Sequence, residues 1–139
     1  MHLHEFEVNG VLYSDQGNEE LSTGSYDGMR VADLLKGKGD RIIYRYDFGD
    51  YWEHFIEVEE VLEPDKGVDY PLFLDGQRNC PPEDCGGAPG YLEMLKVLSD
   101  PEDPEREEYL LWLGKPFDPE AYEKPRDALR FRTVINANV

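Results

Sequence analysis

The chain has 139 residues, one domain's length and enough to bury a single core of ordinary size. Its 31 acidic against 14 basic residues give a formal charge of -17, a field that repels phosphate backbones and anionic membrane surfaces and so disfavours direct nucleic-acid binding. No stretch approaches the roughly 20 apolar residues of a membrane span, and the N-terminus lacks a basic-then-apolar leader pattern, so a cytoplasmic protein with one domain over residues 1–139 is expected.

In chain order, Leu3 to Asn9 and Val11 to Tyr13 read as two short strands around Asn9-Gly10, the dipeptide that most readily supplies the positive φ angles of a two-residue hairpin turn. His2, His4, Phe6 and Val8 then share a face. Ser14 to Gly28 is polar, holds three glycines and lacks an apolar period, which predicts a surface loop. Met29 to Leu35 carries a short helical stripe that ends at Gly37 and Gly39 and should pack on the sheet.

Arg41 to Phe48 alternates, with Ile42, Tyr44, Tyr46 and Phe48 on one face, and Trp52, His54, Ile56 and Val58 alternate likewise. Gly49-Asp50 between them predicts a hairpin over residues 41–62. Pro71 to Leu74 reads as a short edge strand, where the missing proline donor faces solvent. From Cys80 the character changes to loop and helix. Pro89 suits a first helical turn, and Tyr91, Met94, Leu95 and Leu98 form a stripe. Asp103-Pro104 and Asp118-Pro119 are cap-plus-first-residue pairs, the former opening a helix that Gly114 stops. A last helix is expected from about Pro125 to Ile135, with Lys124 just before it and Arg126, Arg130 and Arg132 along it as a solvated basic side. Strands first and helices last predict an α+β fold, an antiparallel sheet of N-terminal hairpins packed against C-terminal helices.

Both cysteines and all three histidines fall inside compact motifs: His2-Leu3-His4-Glu5-Phe6, Tyr46-Asp47-Phe48-Gly49-Asp50 with Trp52 and His54, and Cys80-Pro81-Pro82-Glu83-Asp84-Cys85-Gly86-Gly87 with Gly90-Tyr91. These motifs, in this order, resemble the plasmid pRiA4b ORF-3-like family across residues 1–139. The resemblance implies an α+β fold of its own, occurrence in bacteria and archaea, an occasional link with plasmids or insertion elements, and no established activity. Members usually carry a further strand and helix before the His-x-His segment, whereas here Met1 stands almost on it. An absent partner strand leaves a sheet edge to be covered or used in self-association, so a homodimer is one expectation.

Two readings of the motif residues stand side by side. In the first, His2 and His4 on one strand face join Cys80 and Cys85 as a Cys2His2 set suited to zinc, although Cys-x4-Cys is wider than the usual knuckle. In the bland alternative the thiols are small buried hydrophobes in a loop whose path the prolines and glycines fix. Asp47, Asp50 and His54 form a second candidate set for a hard metal or acid-base chemistry. Against it, Asp50 suits a turn, and His54 shares the apolar face of Trp52 as a core histidine would. Glu83 and Asp84 could orient a ligand or anchor the loop. A cysteine nucleophile, Cys85 with His54, is the weakest candidate. No phosphate loop, dinucleotide fingerprint or nucleophile elbow is present.

These residues point to a binding or interaction module with His4, Asp47, Asp50, Trp52, His54, Glu83 and Asp84 around one cleft. Its partner would be a protein or small molecule rather than nucleic acid or membrane. The alternative is a zinc-dependent enzyme, a hydrolase.

Overall fold

Asn9 at φ 51° and Gly10 at φ 79° form the left-handed pair that a two-residue hairpin needs, and they join β1 (His4–Val8) to β2 (Val11–Ser14). The computed structural model describes residues 2–14, 24–68 and 70–122. The chain forms two compact units, Met1–Glu63 with Asp84–Gly90, and Pro64–Glu83 with Tyr91–Val139.

The first unit is built on a sheet of five strands among the described residues. β3 is Gly24–Ser25, α1 is Val31–Leu34, β4 is Arg41–Tyr46 and β5 is Trp52–Glu57. The strand order is β3-β2-β1-β4-β5, antiparallel except for the β2·β3 pair. With the helices that follow, this is an α+β fold. β1 lies centrally, setting Phe6 opposite Tyr44, while β4 pairs with β5 from Arg41↔Glu57 to Tyr46↔Trp52. The two-residue period sorts the side chains into two faces. One carries His4, Phe6, Tyr44, Tyr46, Trp52 and His54, and Val8 and Ile42 are buried there. The other carries Glu5, Glu7, Arg45 and Glu53, tied together through one guanidinium.

The second unit holds most of α2 (Gly87–Ser99) and all of α3 (Arg106–Leu113). Met94 and Val97 are fully buried, and Tyr91, Leu95 and Leu98 are half-buried, so the predicted stripe is the inward face. The Asp103 carboxylate accepts from the Glu105 amide ahead of α3, and Gly114 at φ 63° closes it with its N–H donating to Leu110. The Arg106 guanidinium reaches the Leu98 carbonyl at the end of α2. Residues 73–79 lie along 117–122, where Asn79 donates to the Pro119 carbonyl and the Phe73 ring meets Tyr122.

Four local expectations need correction. Ser14 is not loop but the buried end of β2, and Gly24–Ser25 adds a parallel strand, because the Tyr26 amide bonds to the Ser14 carbonyl without any apolar pattern to announce it. The stripe at 29–35 shrinks to the single turn of α1, with Val31 67% exposed and no buried side chain, since the Arg30–Asp33 pairing fixes its start immediately before Val31. Residues 71–74 form no strand, and Leu72 and Leu74 are exposed. Asp118-Pro119 opens only a turn, closed by the Ala121 amide on the Asp118 carbonyl. The expected helix at 125–135 and its basic residues lie outside the described residues.

Candidate functional site

The β4–β5 connection is a five-residue loop rather than a tight turn at Gly49-Asp50. Asp47 and Tyr51 both adopt left-handed backbone, at φ 55° and φ 54°, and the Tyr51 amide donates to the Asp47 carbonyl. Neither residue is glycine, so each holds a conformation that costs about 1 kcal/mol or more and needs surrounding contacts to persist. Those contacts are present. The Asp47 amide donates to the Leu3 carbonyl, and its carboxylate accepts from the Gly49 amide and lies 3.1 Å from His2 Nδ1. The Gly49 amide first, and His2 with it, hold the Asp47 carboxyl below its usual range.

The start of α2 meets the same loop. Gly86 and Gly87 are consecutive left-handed residues, and a side chain at Gly87 would strike the Asp50 carbonyl. Only glycine allows this backbone approach. Asp50 Oδ2 is buried and has no hydrogen-bond partner among the described residues. Cys85, the residue directly before Gly86, is half-buried with its thiol 3.9 Å from the Gly87 carbonyl, and no disulfide joins it to Cys80. The His2/Leu3 segment, the Asp47–Tyr51 loop and the Cys85–Gly87 segment therefore meet at one end of the sheet.

His4 is placed otherwise. Its Nδ1 donates to the His2 carbonyl at 3.4 Å, and its Nε2 accepts from the Tyr26 hydroxyl at 2.9 Å, which in the neutral ring puts the proton on Nδ1. A metal on His4 would have to displace one of these bonds. The ring stacks on Tyr26, 5.6 Å between centroids, and meets Phe6 and Tyr44 edge-on. Tyr44 in turn touches His54, so two histidines flank one tyrosine on the aromatic face. His54 is exposed, with Nδ1 3.3 Å from the Tyr44 carbonyl, which corrects the expected core histidine: among the described residues it lies on an edge strand with a neighbour on one side. Trp52 sits opposite Tyr46, half-buried. Asp84 is exposed at φ 58°. Cys80 and Glu83 belong to the second unit, where both are exposed.

Residues 1–125 match the family model described as plasmid pRiA4b ORF-3-like protein. The chain belongs to that family. The uncharacterised protein y4hQ of Sinorhizobium fredii (strain NBRC 101917 / NGR234) is 39% identical over 117 residues, covering 81% of this chain and 59% of that one. The chain thus spans about three-fifths of this curated relative's length. The crystal structure of a protein of unknown function, MM3350 from Methanosarcina mazei Go1, is similar with a TM-score of 0.78 at 38% identity, over 91% of this chain and 72% of that one. The names of both relatives leave their function open, so kinship supports the fold and assigns no reaction.

Two residues of this plasmid pRiA4b ORF-3-like chain escaped the sequence reading. Tyr26 fixes the His4 ring from a segment that looked like loop, and no spacing rule connects the two. Arg45 is 12% exposed and shared by Glu5, Glu7 and Glu53, with its guanidinium carbon 5.9 Å from the Tyr51 ring centroid. Burial disfavours its charge, yet the carboxylates of Glu7, Glu53 and Glu5 hold its pKa above the ordinary arginine range. In the sequence Arg45 alternates with Ile43 and Asp47 on the face opposite Tyr44 and Tyr46, which is the one signal that bears on it.

Proposed function

We propose that this chain is a binding module whose ligand site is the end of the sheet where the Asp47–Tyr51 loop meets Cys85–Gly87. The observation that carries the reading is Asp50 Oδ2, a buried carboxylate oxygen without a partner among the described residues. Such an atom forfeits its hydration unless a donor or a cation replaces it. The complementary group is therefore an N–H, an O–H or a positive charge, presented by a small molecule or by a partner protein. The strained loop supports the same reading, since left-handed non-glycine backbone concentrates at sites that hold a fixed geometry.

The test is an amide-resolved NMR titration of the whole chain with methylammonium, guanidinium and acetamide as donor probes. Perturbation confined to residues 47–51 and 85–87, and lost in Asp50→Asn, is the expected result. The reading fails when none of the three probes moves those amides in the wild-type chain.

One observation favours a second reading, a zinc-dependent hydrolase: the His2–Asp47 pair lies at the same end of the sheet as the Cys85 segment. Elemental analysis of protein purified without chelator separates the two. Near-stoichiometric zinc, lost when Cys80 and Cys85 are both changed to Ser, supports the metal reading, and a blank for zinc, iron and manganese removes it.

A further inference from the structure

β5 is an edge strand of the sheet, paired only with β4 among the described residues. The Val58 amide donates to the Asp40 carbonyl and the Val58 carbonyl accepts from the Gly39 amide. Backbone groups alternate sides every residue in an antiparallel strand, so those of Glu53, Phe55 and Glu57 point away from β4 toward the outer edge. Edges of this length are normally blunted by proline, lysine or a bulge. Trp52–Glu57 has neither proline nor lysine, its ladder with β4 runs without interruption, its charged side chains are those of Glu53 and Glu57, and Phe55 stands 77% exposed between them. At the opposite edge of the described sheet β3 is Gly24–Ser25.

The charge of this edge selects its occupant. From Trp52 to Glu63 the chain carries Glu53, Glu57, Glu59, Glu60 and Glu63 and no lysine or arginine. Arg41 balances Glu57, but Arg45 is divided among Glu5, Glu7 and Glu53, which leaves two negative charges of that group uncompensated. A second copy pairing β5 with β5 about a two-fold axis centred on Phe55 would set Glu53 against Glu57, and would bring together two chains of -17. We propose that the outer edge of β5 receives an extended cationic segment of a partner protein as an added strand, with basic side chains four residues apart opposite Glu53 and Glu57 and an apolar one between them on Phe55. Main-chain bonds to Glu53, Phe55 and Glu57 supply the affinity, and the Glu-Phe-Glu row supplies the selectivity. This surface is separate from the Asp50 end-of-sheet site, and the proposal stands whether or not that site takes a ligand.

The probe is a fluorescein-labelled ten-residue peptide with two lysines four apart and a valine midway, compared with the same peptide carrying glutamate at both lysine positions. Anisotropy titrations should show binding of the lysine peptide alone, weakening as salt is raised, with new hydrogen-exchange protection at the amides of Glu53, Phe55 and Glu57. Phe55→Pro removes the central outward donor and the exposed ring, and should weaken binding about tenfold or more. The double variant Glu53→Lys with Glu57→Lys should reverse the preference toward the glutamate peptide, a result that loss of folding does not produce. Equal binding of both peptides, or binding with protection elsewhere, overturns the proposal. So does a wild-type dimer in sedimentation that Phe55→Pro converts to monomer, which would make a second copy the occupant.

Discussion

The two hairpins of the sheet solve the same problem in opposite ways. At Asn9-Gly10 the left-handed positions fall to the two residues that accept them most readily, and a side chain at Gly10 would meet nothing within 4 Å. At Asp47–Tyr51 the left-handed positions fall to an aspartate and a tyrosine, and the loop is held by Leu3, His2 and the backbone at Gly87. The first turn is a local device that closes the strands and does nothing more. The second stores strain that distant segments of the chain must offset, and it keeps the Asp50 carboxylate oxygen buried. Where a fold maintains such an arrangement although an Asn-Gly turn was within reach, the geometry itself is the product.

That contrast breaks most severely at Arg45, which ties the second hairpin to β1. Arg45→Ala leaves Glu5, 7% exposed, without its counterion and removes the cation beside Tyr51. Urea denaturation should show a loss of about 3 kcal/mol or more, and a loss well under 1 would mean that the cluster is only a solvated surface. Gly87→Ala should come next, at about 2–3 kcal/mol, because its new side chain meets the Asp50 carbonyl on a backbone already at φ 65°. Gly10→Ala, with the same class of φ and open space around it, should cost only about 1 kcal/mol by the same measurement. Equal effects at the two glycines would remove the distinction drawn between the hairpins.

The smallest effect is a titration. The Asp47 carboxyl has a depressed folded-state pKa, so its contribution to stability is present above its unfolded value, near 3.8, and is lost as pH falls through the lower folded value. Carboxyl NMR should place Asp47 below 3.8. His2→Ala should raise it only part of the way, since the Gly49 amide is the larger cause. Complete restoration to the unfolded value would make His2 the main support of the loop.

What could be read in the sequence was what neighbouring residues impose on one another. Asn9-Gly10 announced its turn because the required φ angles are a property of those two residues, and the alternation of Arg41 to Tyr46 announced β4 because a half-buried strand repeats every second position. Met94 and Leu98 marked the inward side of α2, and Gly114 its neighbour's end, by equally local rules. The motif residues could be singled out by composition alone, and three of their segments do meet at one end of the sheet. Only the tertiary structure decided that Tyr26 fixes the His4 ring across 22 positions, that His54 lies exposed on an edge strand, and that one arginine binds three glutamates up to 40 positions away. The physical reason is the same in each case. A side chain's partner across the sheet is set by register and by the path of the intervening loop, and Asp47 and Tyr51 hold left-handed backbone because the folded surroundings impose it, against the preference of those residues.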